Sequence, residues 1–364
     1  MFLYILLAIL LLGILVTVHE FGHFATARLC GIEVQEYAIG FGPKLLSRVG
    51  KRGTRYSLRL IPMGGFCAFY GEDSTDEKEL EDPRAFGKQP VWKRMLTVLM
   101  GPGMNFLLAF LVLFLVFAIR GVTAIQPVIL AVEEGSPAWS AGLQENDCIV
   151  QIDGVSMIAD NMDAFSEKIA AWKEGDAPLQ ITVLRGTEET TLELTPFYDT
   201  AMDRYRLGVT VSGTLARQVL PDGSFETIAM RISLPKAIAL SWDECVYAGG
   251  AILSALKTMI TTGEGLDQAS GPVGVVSLVS QQVQTGGLPA FLNLLIVISI
   301  NLGIMNLLPI PGLDGSRFLF LLLEAVRRKP IPPQREAVVN IAGMVLLFGF
   351  MFFLTYRDIL ALIH

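Results

Sequence analysis

Four long stretches without a charged residue set the strongest limit on how this chain can fold. They cover residues 1–18, 95–119, 268–313 and 337–356. A helix needs about 20 mostly apolar residues to cross the hydrocarbon core of a membrane. Only 17% of the residues are charged, against about 25% in an ordinary soluble domain. The sequence therefore predicts a multi-pass α-helical membrane protein with four transmembrane helices. We place these helices at residues 1–30, 95–119, 286–315 and 337–362.

The lysine and arginine residues predict how these helices are oriented, because cytoplasmic loops are enriched in them. Eleven lie between the first two helices and five between the last two, so we expect both connections in the cytoplasm. Residues 121–285 hold 9 basic and 21 acidic residues. We expect this segment and both termini on the outer side of a bacterial inner membrane. The net charge of −7 excludes nucleic acid as an expected partner.

The long outer segment contains a pattern of short strands and helices at residues 125–198. Ser136 followed by Pro137 is typical of a helix start, and Gly142 closes that short helix. This order, with GSPAWSAGL at 135–143, resembles a bacterial PDZ domain of the α+β class. Such domains bind peptides by adding a strand to a sheet edge, and a spacer without a ligand is the alternative. Residues 199–285 are predicted to form an extension, with an amphipathic helix at 235–262 on the outer membrane face.

A candidate metal site stands at the end of the first apolar stretch. His19 and His23 form an H-E-x-x-H motif with Glu20 beside them. On a helix, residues i and i+4 share a face, so both imidazoles can bind one metal ion while Glu20 activates a metal-bound water. Ionisable groups at membrane depth are costly and normally functional. The alternative is a pair of histidines at the membrane interface that bind nothing.

A catalytic zinc ion typically has three protein ligands, so the motif needs one more. His364 is expected on the wrong side of the membrane. Asp314 ends the third predicted helix at the same inner depth as the two histidines, and Pro309 and Pro311 break that helix before it. We therefore predict Asp314 as the third ligand. The alternative is that Asp314 caps the following helix.

Together these motifs resemble the site-2 protease family of intramembrane zinc metalloproteases, and within it the bacterial regulator of sigma-E protease branch. The matching segments are HEFGH at 19–23, GFGP at 40–43, IPMGGF at 61–66, GPGMN at 101–105, GPVG at 271–274 and NLLPIPGLDG at 306–315. The resemblance implies a zinc-dependent endopeptidase that cuts membrane-embedded helices after their outer domains have been trimmed. Members of this family cut anti-sigma factors and leftover signal peptides. Longer relatives carry two PDZ domains, whereas this chain has room for one.

Other residues are assigned to substrate binding. Residues 31–94 contain an alternating strand pattern at Tyr56, Leu58 and Leu60, and the resemblance implies a membrane-associated β-loop there. An exposed strand edge can hold an unwound substrate through backbone hydrogen bonds, and a solvated hairpin is the alternative. The resemblance also suggests that Asn306 binds the substrate backbone or the developing oxyanion, with helix packing as the alternative. Asn105 is interpreted as a packing residue, and the glycines at 101 and 103 as a kink or close helix contact.

Three functions compete at this level. The first is a zinc endopeptidase within the bilayer, with membrane proteins and lipid as its partners. The second is a catalytically silent scaffold that binds peptides on the outer side of the membrane. Such a scaffold has no need for Glu20 beside the histidines. The third is a metal transporter, against which only one set of metal-binding residues occurs in the spans. We predict the endopeptidase, with zinc as its cofactor.

Overall fold

The computed structural model describes residues 2–72, 76–159, 162–200, 202–220, 224–265, 270–329 and 333–363. His364 lies outside these residues. The chain divides into two compact units. One consists of Met1–Phe114 and Ala239–His364, and the other of Leu115–Ile238.

Long helices dominate the first unit. They are α1 (Phe2–Cys30), α3 (Val91–Arg120), α6 (Leu234–Thr262), α7 (Pro272–Leu307), α8 (Asp314–Arg327) and α9 (Pro333–Ile363). A short helix, α2 (Glu77–Glu81), and a 3₁₀ turn (Phe86–Lys88) precede α3. The backbone of α7 breaks at Gly287, where φ is 58°, so residues 272–286 and 288–307 form two helical segments.

Five helices in the described residues are long and apolar enough to cross a membrane. They are Phe2–Cys30, Val91–Arg120, Leu234–Thr262, Pro272–Leu307 and Glu336–Leu360. Four of these overlap the four helices predicted from the sequence. The fifth is α6, predicted from the sequence to lie on the membrane surface. Its most apolar window reaches a mean hydropathy of 1.2, against 2.1 to 2.6 for the others. The described chain is thus confirmed as rich in apolar helices of membrane-spanning length.

The helices of the first unit pack through small residues and apolar side chains. Leu11 and Leu15 of α1 are almost fully buried and form a cluster with Val279 and Leu295 of α7. A Cβ atom on Gly22 would lie 1.9 Å from the carbonyl oxygen of Met100, so only glycine lets α1 and α3 approach this closely. This contact fixes the register between the two helices at the level of the H-E-x-x-H motif.

The region after α1 forms a sheet from two long bent strands, β1 (Val34–Val49) and β2 (Arg55–Phe69). Residues 36–39 of β1 pair with 65–68 of β2 on one side and with 55–58 on the other. The second half of β1, residues 44–49, pairs with 55–59. The order across the sheet is therefore 44–49, 55–59, 34–39 and 65–69. Residues 55–58 are inner, and residues 65–69 form an edge.

The second unit contains short strands around one apolar core. They are β3 (Val122–Thr123), β4 (Ile125–Val132), β5 (Cys148–Ile152), β6 (Val155–Ser156), β7 (Leu179–Arg185), β8 (Glu188–Leu194), β9 (Phe197–Asp199), β10 (Arg204–Arg206), β11 (Val209–Leu215), β12 (Arg217–Val219), β13 (Phe225–Thr227) and β14 (Ala229–Met230). The main sheet has the order β11-β4-β5-β7-β8, with β6 against β5. Two short helices, α4 (Pro137–Ala141) and α5 (Asp163–Ala170), lie in the same unit.

The predicted start and end of the short helix α4 can be compared with the structure. Ser136 caps α4 by accepting from the N–H of Trp139, and Gly142 ends α4 with φ of 87°, which confirms both predicted ends. Helix α5 begins after Met162, which makes no side-chain cap hydrogen bond. The main sheet extends past residue 198, because β11 pairs with β4 along its whole length. The PDZ assignment itself stays a prediction.

Candidate metal centre

The last turns of α1 bring two imidazoles together. His19 and His23 are four residues apart, so they lie on one helix face, and their Nε2 atoms are 3.2 Å apart. Both residues are buried, with 7% and 8% of their surface exposed. Burial of two histidines side by side is costly unless they share a partner that satisfies both nitrogens.

Asp314 supplies the third group of the cluster. Helix α7 ends at Leu307, and the segment before α8 turns at Gly312, where φ is 93°. The Oδ2 atom of Asp314 lies 3.0 Å from Nε2 of His19 and 3.3 Å from Nε2 of His23. Leu313, not Asp314, occupies the N-cap position of α8, so the alternative of a helix cap is not what the carboxylate does.

The three atoms fit a single zinc ion. Tetrahedral zinc with ligands at about 2.0–2.1 Å places those ligand atoms about 3.3 Å from one another, close to the three separations observed. Although Oδ2 of Asp314 is this close to both rings, it is buried and has no hydrogen-bond partner. His23 uses its Nδ1–H for the carbonyl oxygen of Thr97 at 2.9 Å, so its Nε2 presents a lone pair. Lone pairs that converge in a buried site need a cation between them.

Helix α3 forms a cradle for the two imidazoles, made by Thr97, Gly101 and Asn105 at intervals of four residues. Thr97 holds His23 through its carbonyl oxygen, and the carboxamide of Asn105 lies 3.1 Å from Nδ1 of His19. A Cβ atom on Gly101 would lie 2.3 Å from Nε2 of His23 and 2.9 Å from Nε2 of His19. The space that glycine leaves is therefore the space that the ligand atoms occupy. From the sequence, Thr97 has no predicted role, and Gly101 and Asn105 are predicted only to pack or to shape the helix contact.

A cavity of about 320 Å³ opens beside the ligand atoms. Its lining includes Glu20, Phe66, Cys67, Asn306 and Arg317, together with the three candidate ligands. The edge strand of the β1–β2 sheet comes very close to Glu20. A Cβ atom on Gly65 would lie 3.3 Å from Cγ of Glu20, and the backbone N–H of Cys67 faces the Glu20 carboxylate.

The substrate-binding residues predicted on β2 do not line this cavity. Tyr56 pairs with both Tyr37 and Arg48, and Leu58 pairs with both Ile39 and Leu46, so their backbone groups face neighbouring strands on both sides. Leu60 is exposed and also stands away from the lining residues. The strand edge beside the metal cluster is residues 65–69, so the predicted edge is displaced by about ten residues. The bend that folds β2 back along β1 causes this shift, and the alternation pattern alone does not reveal it.

Two further side chains reach the cavity. Asn306, predicted from the sequence, lines it from the end of α7. Arg317, counted in the sequence analysis only as a cytoplasmic base, lines it from the first turn of α8 and forms an ion pair with Glu72. The sequence signal that Arg317 reaches the site is its position three residues after Asp314, because residues i and i+3 share a helix face.

Burial around the sheet shifts the pKa of groups near the cavity. Burial, and then the nearby Glu20 carboxylate, raise the pKa of Tyr37 to about 12. The same two causes raise the pKa of the Cys67 thiol. At neutral pH the Tyr37 hydroxyl is therefore uncharged. Glu36 behaves oppositely: burial opposes its ionisation, but hydrogen bonds from Ser57, Arg59 and Lys44 outweigh it and lower its pKa.

Comparisons with known proteins cover nearly the whole chain. The family model of peptidase family M50 matches residues 7–350. A protein of Agrobacterium fabrum named as a zinc metalloprotease is 33% identical over 99% of this chain and 96% of its own length. The regulator of sigma-W protease RasP of Bacillus subtilis is 30% identical over 96% of this chain and 97% of its own length. A Clostridium acetobutylicum protein, also named as a zinc metalloprotease, is 30% identical over 98% and 97%.

Proposed function

This chain belongs to peptidase family M50, the site-2 proteases, in the branch that contains RasP, and we propose that it cleaves pre-trimmed transmembrane segments with zinc held by His19, His23 and Asp314. It is a zinc metalloendopeptidase with several apolar helices of membrane-spanning length. The observation that carries the proposal is the buried cluster of three ligand atoms, separated by 3.0 to 3.3 Å, at the end of an apolar helix.

Glu20 is the proposed general base. When bound, zinc supplies a Lewis acid that polarises the scissile carbonyl and makes water a stronger nucleophile. The Glu20 carboxylate faces the same cavity as the ligands, where it can take a proton from the attacking water and return it to the leaving amine. Gly65 and Cys67 of the edge strand hold this carboxylate beside the cluster.

We propose that the substrate binds as an extended segment along residues 65–69. A transmembrane helix hides its peptide bonds in its own hydrogen bonds, so it must unwind before cleavage, and the backbone groups of an edge strand can replace the lost bonds. This edge lines the cavity through Phe66 and Cys67. Asn306 and Arg317 line the same cavity and supply an amide and a cation for the substrate backbone or the developing oxyanion. The proposed role of Tyr56, Leu58 and Leu60 is to stabilise the sheet. Tyr56 and Leu58 lie on its inner strand, and Leu60 lies on its surface.

The proposed substrates are anti-sigma factors and signal peptide remnants. This follows from the resemblance of the whole chain to a relative named regulator of sigma-W protease. The module in the second unit is proposed to be a PDZ domain that filters or docks substrates outside the membrane. Its sheet has a free edge strand at β11, which is the feature that peptide addition requires.

We further propose that four helices cross the inner membrane and that α6 lies along it. Helices α1 and α7 both end at the metal cluster, so both cross in the same direction. Helix α3 crosses the membrane in the opposite direction between them. If α6 also crossed the membrane, α7 would run in the direction opposite to α1. The first segment of α7, residues 272–286, spans only about 22 Å at 1.5 Å per residue, too short to restore the direction. The resulting topology places both termini and the second unit outside.

Glu20→Gln is the variant that tests the proposed chemistry. We expect the purified variant to keep one zinc ion per chain and to lose cleavage of a single-span substrate, because the three ligands remain and the proton acceptor is gone. Near-normal cleavage by Glu20→Gln contradicts the proposed base. A zinc-free wild-type protein contradicts the metal site itself, and zinc without cleavage of any single-span substrate favours a silent scaffold.

A further inference from the structure

Asn105 is a fully buried polar side chain next to the candidate ligands. It lies in the middle of α3 and has no exposed surface. One end of its carboxamide is 3.1 Å from Nδ1 of His19. Its own backbone carbonyl accepts a hydrogen bond of 2.8 Å from the hydroxyl of Ser299 on α7. This backbone contact accounts for helix packing, so the side chain is free to serve another purpose.

The carboxamide has two orientations, which differ by exchange of its oxygen and nitrogen. The hydrogen-bond partners around the amide decide which orientation is present. With Nδ2 towards His19, the Oδ1 atom of Asn105 is buried and has no partner. With Oδ1 towards His19, the nitrogen takes that position. Each orientation leaves one end without a partner, so the side chain alone does not determine which is present.

The proposed role of His19 as a metal ligand decides the orientation of the Asn105 carboxamide. Its Nε2 atom faces Asp314 at 3.0 Å and His23 at 3.2 Å, so Nε2 is the atom that would bind a metal ion. A neutral imidazole carries one proton, and a metal-binding Nε2 leaves that proton on Nδ1. An Nδ1–H needs an acceptor, and only the Oδ1 orientation of Asn105 offers one. His23 is held in the same way, by the carbonyl oxygen of Thr97.

We infer that Asn105 is a positioning residue that accepts a hydrogen bond from Nδ1–H of His19 and so fixes the tautomer and ring orientation for metal binding. This rests on the proposed function only in that it takes His19 as a zinc ligand. Helix α3 then supplies an acceptor for each histidine, from two residues eight positions apart on one face, with Gly101 between them leaving room for both rings. Such acceptors also raise the basicity of the imidazole as a ligand.

Zinc affinity measured by chelator competition on the full-length chain in detergent tests this role without reference to proteolysis. Asn105→Leu keeps the size of the side chain and removes the acceptor, and we expect it to weaken zinc binding by roughly 10- to 100-fold. Asn105→Asp keeps an acceptor at the same place, so we expect its affinity to be equal to that of the wild type or higher. Asn301→Leu, an exposed amide on α7, is the matched control and should bind zinc normally.

Two results overturn the inference. One is wild-type zinc affinity in a folded Asn105→Leu protein. The other is an Asn105→Asp protein that folds but binds zinc as weakly as Asn105→Leu, since a donated hydrogen bond or simple packing predicts that outcome. If the variants do not fold, nitrogen NMR of wild-type zinc protein with labelled histidine decides: both ligand rings should carry the proton on Nδ1. An unprotonated Nδ1 on the His19 ring contradicts the inference. Failure of the proposed function is distinct, because the wild-type protein would then bind no zinc.

Discussion

At the scale of single residues, the metal cluster depends on side chains that touch the ligands as well as on the ligands themselves. Gly101 is the sharpest example, because a methyl group there would overlap the ring atoms of His23 at 2.3 Å. We expect Gly101→Ala to weaken zinc binding roughly 100-fold or more, at least as much as loss of an outer hydrogen bond does. Gly103→Ala is the matched control, since its methyl group would meet only the flexible end of the Met100 side chain, at 3.4 Å from the sulfur. Metal analysis of both proteins decides, and equal zinc content would refute this account.

The two aspartates at helix ends give a second contrast. Asp314 faces the histidines, whereas Asp358 accepts a 2.7 Å hydrogen bond from the backbone N–H of Gly274 at the start of α7. Asp314→Ala, like His19→Ala and His23→Ala, should therefore lose zinc. Asp358→Ala should keep zinc and lose about 1 kcal/mol of stability, the usual cost of removing a helix cap. Full zinc occupancy in Asp314→Ala would exclude it as the third ligand, and thermal unfolding measures the effect at Asp358.

The sequence predicts which three side chains converge better than it predicts the residues that contact them. The spacing of His19 and His23 follows from helix periodicity, and Asp314 follows from matching depth at the ends of two apolar stretches. Asn105 and Thr97 were not predicted as supports of the histidines, because their contact depends on how α3 packs against α1. That register is set by Gly22 against the backbone of Met100, a contact between residues 78 positions apart.

At the scale of secondary-structure elements, the bent sheet decides which strand forms the edge beside Glu20. Alternation along β2 made Tyr56, Leu58 and Leu60 the predicted contacts, but the double pairing of β1 makes residues 55–58 inner and leaves residues 65–69 as the edge beside Glu20. Pairing of one strand with two parts of another is not readable from period-two alternation, since every part of the strand shows the same period. The sequence therefore predicts the sheet but not its order.

Crosslinking distinguishes these two strands. In a Glu20→Gln chain in which Cys30, Cys148 and Cys245 are replaced by serine, the native Cys67 should form a disulfide with a single cysteine placed at the scissile position of a bound substrate. The matched chain carries Leu58→Cys and Cys67→Ser, and we expect it not to crosslink, because residue 58 is paired on both sides. Equal crosslinking at both positions, or at position 58 alone, would contradict the proposed substrate edge.

At the scale of the whole molecule, the second unit is an insertion that can be removed cleanly. Its first strand, β3, pairs with its last, β14, so the chain enters and leaves the unit at neighbouring points. A deletion of 125–198 alone would leave β11 without its partner β4. We therefore expect removal of 124–228 with a short linker to preserve zinc binding and cleavage of short, pre-trimmed substrates. It should also permit cleavage of substrates that keep a large outer domain, which an assay with both substrate lengths measures.

Loss of cleavage of both substrates by a folded, zinc-loaded deletion protein would reject the filter and give the second unit a part in forming the active conformation. Cleavage rates of the deletion protein must be compared with those of the intact chain, because a filter changes only which substrates reach the active site. A filter leaves the rate for the shorter substrate unchanged.

The central claim is that two imidazoles and one carboxylate hold zinc inside the apolar part of the chain. X-ray absorption at the zinc edge of the purified full-length protein tests it most directly. The account predicts one zinc ion per chain with nitrogen and oxygen neighbours at about 2.0–2.2 Å, two of them imidazoles, and no sulfur neighbour at about 2.3 Å. A sulfur shell would mean that cysteine holds the ion. The same spectrum from Asp314→Ala as from the wild type would likewise contradict the account.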